Sequence, residues 1–513
     1  MGDLSALVLD GAPLALGDVE DVARRRREVA LGPGAAARLA SGRAFIDRLA
    51  GGAEPIYGIT TGVGKLKDVV IPPAERAALQ RNLVLSHAGG VGPALAEAET
   101  RAMMLLLAAS LARGASGVRP AVVETLIACL NRGVHPVVPE QGSVGSSGDL
   151  APLAHVAACL IGEGEAVASG RRLKAGEALQ AAAVRPLALE TKEGLALLNG
   201  THLMAGLGAL AVLDAGRLAR LADVAGAMAL EALMGTNAAF DARIHALRPH
   251  PPQQAVAANL RRLTAFSGII ASHRDCTRVQ DAYSLRCMPQ VHGSARTAFD
   301  FAGGVLGREL GAVSDNPLVF AEDGVVLSGG NFHGEVLGLA LDTLAVGLAQ
   351  LGGISERRID RLVNPLTNEG LPAFLAPSGG VNSGYMIAQY TAAALVGELR
   401  TLAHPASVDS IPTSGLQEDY NAMGGGAALK ARRAVGVARQ VLAIEALLAA
   451  QALDLRAPLA PGRGSRAARD AVRRRIAPLT ADRYLKGDLD AALLLAEEGS
   501  VVAAAEAAVG RLD

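Results

Sequence analysis

Long apolar stretches with helical spacing constrain this chain most. Residues 429–453 place Val437, Val441, Ile444 and Leu448 at steps of four, three and four, the period of one helix face. Residues 206–234 and 335–363 repeat the style over similar lengths, and 97–113 reads as a shorter buried helix. Such lengths exceed the common helix and point to a bundle of long parallel and antiparallel helices. Composition agrees: the chain is rich in Ala, Leu and Gly, with no Trp, six Tyr and eight Phe. Sheets gather β-branched and aromatic residues instead. Strand signals are limited to VLSGG near 326–330 and VVI near 69–71, and APGRGSR at 460–466 reads as a linker before a helical tail.

The 513 residues allow two or three domains, and an apolar half with 19% charge is a globular composition. A formal net charge of −1 argues against nucleic acid or an anionic membrane as partner. The run Arg24–Arg27 reads as a solvated helix face. Cys129, Cys159, Cys276 and Cys287 form no CxxC pair and read as reduced core residues of a reducing compartment. The N-terminal stretch carries acids where a secretory leader needs bases. The apolar helices are interrupted by charge, as at Asp214 and Asp342, so no membrane span is expected. A soluble cytoplasmic protein is the expectation.

Between the helices lie Gly-rich polar blocks, where function usually sits on a helical scaffold. TTGVGKL fails as a phosphate loop, because Ile59 stands where its first Gly belongs and Leu66 where Ser or Thr would bind magnesium. No strand runs into GxGxxG, so no nucleotide cofactor is expected, and no His or Cys spacing suits a metal. No serine loop meets GxSxG, the hydrolase elbow.

The block GSVGSSGDLAPLAH, Gly142 to His155, offers another chemistry. The amide nitrogen of Gly148 can attack the carbonyl carbon of Ser146, since a residue without Cβ folds tightly enough. Loss of water closes a five-membered ring, and loss of a second water from Ser147 leaves an exocyclic methylidene. The product, 4-methylidene-imidazol-5-one (MIO), is an electrophile, which no ordinary side chain is. Taken alone, Ser-Ser-Gly is a turn far more often than a cofactor precursor.

Context alters that reading. This block resembles the MIO loop of the aromatic amino acid lyases, whose triad is usually Ala-Ser-Gly. YGITTGVG, NLVLSHAGGVG, KEGLALLNGT, FDARIH, VQDAYSLRC, AVSDNPLVF, SGGNFH and LAHPASVDSIPTS resemble the family's histidine-acting branch, in order, from about residue 50 to 455. The resemblance implies a mainly α fold: a long-helix bundle of the aromatic amino acid lyase type with a smaller, loop-rich N-terminal domain. The expected segments are 1–205 with the MIO loop, 206–455 as central bundle and 456–513 as helical tail. It further implies a homotetramer with composite active sites and no metal.

The implied reaction eliminates ammonia from L-histidine without oxidation, giving trans-urocanate. An amino group leaves poorly, and a covalent electrophile formed from Ser146, Ser147 and Gly148 answers that obstacle. The β-hydrogen is barely acidic, so a base is needed. The resemblance gives that role to Tyr57, and Tyr283 is the other candidate. Arg286 would hold the substrate carboxylate in a bidentate pair. Asn199, Gln280 and Tyr283 resemble the family's polar contacts, while Asn316 and Phe332 resemble residues that shape the site. Asp149 either aids ring closure or caps the following helix, and the cap is the simpler reading.

Specificity rests on Ser86-His87, the pair of the histidine-acting branch, and on Glu418 in the QED block, a carboxylate able to bind an imidazole N–H. Facing a phenyl ring instead, that carboxylate would be desolvated without a partner, at several kcal/mol. Four departures stand out. Ser146 replaces Ala. Thr60 and Val63 replace Asn and Phe. Tyr420-Asn421-Ala422 follows QED where typical histidine-acting members read His-Val-Ser. The last keeps a tyrosine ammonia-lyase or an aromatic 2,3-aminomutase as alternatives, since some also carry Ser-His.

Overall fold

The computed structural model describes residues 5–52 and 54–513. Helices dominate it. The four anticipated ones are present as Glu97–Ala112, His202–Ala232, Glu335–Val363 and Gly424–Asp454. Their ends follow local chemistry. Glu99 Oε2 accepts from Ala96 N at 2.9 Å, closing the first turn of Glu97–Ala112. Pro120–Arg132 opens with Pro at its first position and stops at Gly133, whose φ of +69° is a left-handed cap.

Residue contacts divide the chain into two units. The first comprises residues 1–211, 302–342 and 405–429; the second comprises 212–301, 343–404 and 430–513. Both are assembled from interleaved segments, because the division falls inside long helices.

The first unit carries all of the short sheets. Leu7–Leu9 pairs with Val29–Leu31 in parallel, and Val134–Pro136, Glu165–Ala168 and Arg171–Lys174 form an antiparallel sheet. Leu318–Phe320 and Val325–Leu327 make a hairpin at the anticipated VLSGG block. Phe45, Ile46, Ile59 and Val319 form a small core beside it. Among the described residues the VVI stretch forms no strand; Val70 makes an isolated antiparallel bridge with Thr61, flanked by Gly62 N donating to Val69 O at 2.9 Å and Ile71 N to Thr60 O at 2.8 Å. A single bridge between such short stretches does not extend into a ladder.

The second unit buries an ionic network among its helices. Arg358 pairs with Glu445, Ser355 Oγ donates to Glu445 at 2.6 Å, and Asp223 holds His292 at 2.7 Å and Arg296 at 2.6 Å. Arg358, Glu445 and Asp223 are fully buried, so each charge depends on its partners, while burial lowers the pKa of His292. The stretch 460–466 is a linker only to Gly462, because the helix Arg463–Arg473 begins inside it.

Two expectations need correction. Among the described residues three helices are long and apolar enough to cross a membrane by length and composition: His202–Ala232, Glu335–Val363 and Gly424–Asp454. Their most apolar windows are 72%, 61% and 83% buried inside the protein, so the fold itself covers much of them. Cys129 and Cys159 are buried as expected, but Cys276 is exposed and Cys287 half-buried.

Candidate active site

Gly148 shows why the triad ends in glycine. Its φ is +71°, and a Cβ there would lie 2.3 Å from the carbonyl oxygen of Gly200. Any larger residue would meet the backbone head-on. The two glycines form a β-bridge, and Asp149 N donates to Gly200 O at 2.7 Å. A backbone held this close, with a left-handed glycine at its third position, fits the tight turn that cyclisation requires. Ser147 Oγ donates to Glu418 Oε1 at 2.9 Å, so the hydroxyl at the middle of the triad faces a carboxylate.

Asp149 has a different task from the one expected. It sits at the N-cap position of Leu150–Leu160 but makes no side-chain bond to that helix. Its Oδ2 instead accepts from Leu203 N at 2.9 Å and Met204 N at 3.0 Å, in the first turn of His202–Ala232. Oδ1 accepts from Ser143 Oγ at 2.7 Å. The carboxylate thus caps a helix that starts some fifty residues away and clamps the loop to it. Burial pushes its pKa up to about 6, against the lowering effect of these bonds. Nearby His202 is buried with neither ring nitrogen partnered, and burial lowers its pKa to about 4. It is therefore neutral at pH 7.

Two cavities of the first unit, ≈ 450 and ≈ 480 Å³, share Tyr57, Gly64, Ser147, Asn199 and Glu418 in their walls. The first is also lined by Asn316, Phe332, His333 and Tyr420. The second is apolar, lined by Leu83, Leu150, Leu195 and Leu198, with Ser86 and His87 at its wall. Tyr57 Oη accepts from Gly64 N at 3.2 Å. His87 Nδ1 lies 2.8 Å from Leu83 O, an oxygen that only accepts, so Nδ1 carries a proton there. Asn199 Oδ1 is buried without a partner, an acceptor awaiting a donor. Glu418 Oε2 accepts from Thr413 Oγ1 at 2.8 Å, which fixes the carboxylate. Asn316 Oδ1 accepts from Gly329 N at 2.8 Å, a bond that shapes the loop before Phe332.

Tyr57, His87, Ser146, Ser147, Gly148, Asn199, Phe332 and Glu418 thus gather in the first unit. Gln280, Tyr283 and Arg286 belong to the second. There the Arg286 guanidinium lies over the Tyr283 ring, 4.7 Å from its centroid. Tyr283 is 71% exposed, and Arg286 Nε is buried without a partner. Lys67 and His333, to which the sequence assigned no role, and Tyr420, the departure that follows QED, also line the first cavity. His333 stacks on Tyr420 at 6.4 Å and bonds its carbonyl at 3.1 Å. Among the described residues no three His, Cys, Asp or Glu side chains gather as a metal would need.

A cavity pairing a Ser-Ser-Gly turn with a tyrosine, an unpaired asparagine and a carboxylate is the equipment of an amino acid lyase. The chain belongs to the aromatic amino acid lyase family, whose model matches residues 14–474. It is 54% identical over 514 residues to the histidine ammonia-lyase of Koribacter versatilis, covering 98% of this chain and 100% of that one. The histidine ammonia-lyase structure from Trypanosoma cruzi superposes with a TM-score of 0.90 at 42% identity, over 98% of this chain and 96% of that one. A tyrosine aminomutase from Streptomyces globisporus superposes with 0.94 at 38% identity, over 99% and 100%.

Proposed function

We infer that this protein eliminates ammonia from L-histidine to give trans-urocanate, on an MIO built from its own Ser146, Ser147 and Gly148. The observation that carries the reading is one cavity wall holding both Ser147 and Glu418, with His87 beside them. MIO supplies an electrophilic carbon for the substrate amine.

The chain's own residues do the rest. Glu418 accepts an imidazole N–H, a charge-assisted bond worth about 1.5–3 kcal/mol that a phenyl ring cannot make. His87 in its neutral form offers a second acceptor, Nε2, at the apolar end. Asn199 Oδ1 takes a donor from the substrate. Tyr57, once its own phenol proton has been lost or relayed, accepts the β-proton at Oη, with Tyr283 as the other candidate base. Phe332 packs against the substrate from the cavity that it lines with His333 and Tyr420. The leucines around His87 exclude water, which strengthens each polar contact.

The same reading makes the protein a cytoplasmic homotetramer. Gln280, Tyr283 and Arg286 of one copy then complete the site of another, with Arg286 pairing the substrate carboxylate. The exposure of Tyr283 and the orphaned Arg286 Nε support this.

A tyrosine ammonia-lyase or aromatic 2,3-aminomutase is the second reading, favoured by Tyr420-Asn421-Ala422 and by the fold likeness to the aminomutase. Identity favours histidine, at 54% against 38%. The deciding assay offers histidine, tyrosine and phenylalanine separately and measures ammonia, the unsaturated acid and any β-amino acid. Histidine is expected to yield ammonia and urocanate. Turnover of tyrosine with none of histidine overturns the assignment.

A further inference from the structure

Two departures in the sequence meet in space. Ser146 stands where the family commonly has Ala, and Ala422 stands where typical histidine-acting members have Ser. In the fold Ala422 N donates to Ser146 Oγ at 2.7 Å. The two residues lie 276 positions apart, and both are buried, Ser146 at 3% exposure and Ala422 at 0%. One hydroxyl is gained on one side of this contact and one is lost on the other.

The contact joins the triad to the segment that carries Glu418. That segment is folded on itself: Thr413 N donates to Glu418 O at 2.9 Å, and Asn421 N to Ser410 Oγ at 2.6 Å. Holding Ala422 therefore holds Glu418. Two side-chain hydrogen bonds tie the segment to the triad, Ser147 Oγ to Glu418 Oε1 and Ala422 N to Ser146 Oγ. Cyclisation discards the Ser147 hydroxyl as water, so the first tie disappears. The Ser146 side chain is not consumed, so the second remains.

We propose that the Ser146 hydroxyl is the positioning group that keeps Glu418 in register with the finished triad, and that Ser146 and Ala422 act as one coupled pair. The imidazole readout rests on the histidine reading; the contact does not. Removing the hydroxyl strands a buried N–H without an acceptor. A serine at 422 restores a hydroxyl at the same contact, next to the orphaned donor.

The test is a double-mutant cycle of Ser146→Ala, Ala422→Ser and the double variant. Intact mass reports the loss of two waters, so a cyclisation defect is seen apart from a binding defect. Steady-state kinetics give KM and kcat for histidine, and calorimetry gives the Kd of imidazolepropionate, which lacks the amine. Ser146→Ala is expected to cyclise and to raise both KM and Kd about tenfold, with kcat changed far less. The double variant is expected to recover most of the loss, which a merely structural hydroxyl would not produce. Ser146→Cys, with a weakly accepting sulfur of similar size, is expected to fall between and serves if the alanine variant does not fold. Wild-type Kd in Ser146→Ala, or a double variant no better than the single, overturns the proposal. If the wild type acts on tyrosine and not histidine, the substrate reading fails alone, and the cycle is judged with tyrosine.

Discussion

Asp149 lends itself to a quantitative test. Its carboxylate is fully buried and accepts from Leu203 N, Met204 N and Ser143 Oγ. Burial lifts its pKa from 3.8 to about 6. Because the folded value lies above the unfolded one, the folded state holds the proton more tightly. The group's stabilising contribution is therefore complete below the unfolded pKa and is lost as pH rises through the folded one. A shift of about two units at 1.36 kcal/mol each makes the loss about 3 kcal/mol. Asp149→Asn removes this titration while keeping an oxygen for the two helix amides, and the Ser143 hydroxyl can rotate to accept from Nδ2. The variant should gain about 3 kcal/mol relative to wild type between about pH 4 and about pH 7. Asp149→Ala instead leaves the two amides uncapped, at about 1–3 kcal/mol for each unsatisfied buried group. Urea midpoints at fixed protein concentration, across the pH range, read both effects. Parallel pH profiles for wild type and Asp149→Asn would refute the titration, and an alanine variant as stable as the asparagine one would refute the cap.

Two further outcomes follow from the same geometry. The intact protein should weigh two waters less than its sequence; Ser147→Ala should restore one of them and abolish turnover, while a full-mass, fully active protein excludes MIO. Glu418→Gln should lower kcat/KM for histidine by about ten- to a hundredfold, the worth of a charge-assisted hydrogen bond; an equal loss on tyrosine would show that the carboxylate does not read the imidazole.

The long helices were legible because each repeats its apolar face over many turns, as Val437, Val441, Ile444 and Leu448 do. The short strands were not. Val134–Pro136 and Pro139–Gln141 are three residues each, too few to show alternation, and they exist because a partner edge lies alongside. The VVI stretch has the composition of a strand and reaches a single isolated bridge, with Thr61. The apolar windows of the three longest helices tolerate charges such as Asp342, which accepts from Ala406 N and Ser407 N at 2.8 Å each; paired in this way, a charge does not interrupt a buried face. Reading the chain in order also gives only consecutive segments, whereas residue contacts interleave three stretches into each unit.

The site divides along the same line. Residue type announces chemistry, so the Gly-rich blocks disclosed Tyr57, Ser147, Asn199 and Glu418 without any coordinates. Partnership does not show in residue type. Asp149 directly precedes Leu150, the first residue of one helix, and that adjacency favours a local cap; the structure gives its carboxylate to Leu203 and Met204 because their amides point into the same buried space. Ser146 and Ala422 look like two unrelated substitutions until a 2.7 Å hydrogen bond joins them. His333 and Tyr420 belong to separate blocks of the sequence, and their stacking shows only in the fold. A sequence therefore lists the polar groups of this cavity, and the fold decides what each carboxylate holds. Glu418, half-exposed in the cavity wall, accepts from Ser147 Oγ and Thr413 Oγ1; Asp149, fully buried, is committed to the amides of a helix.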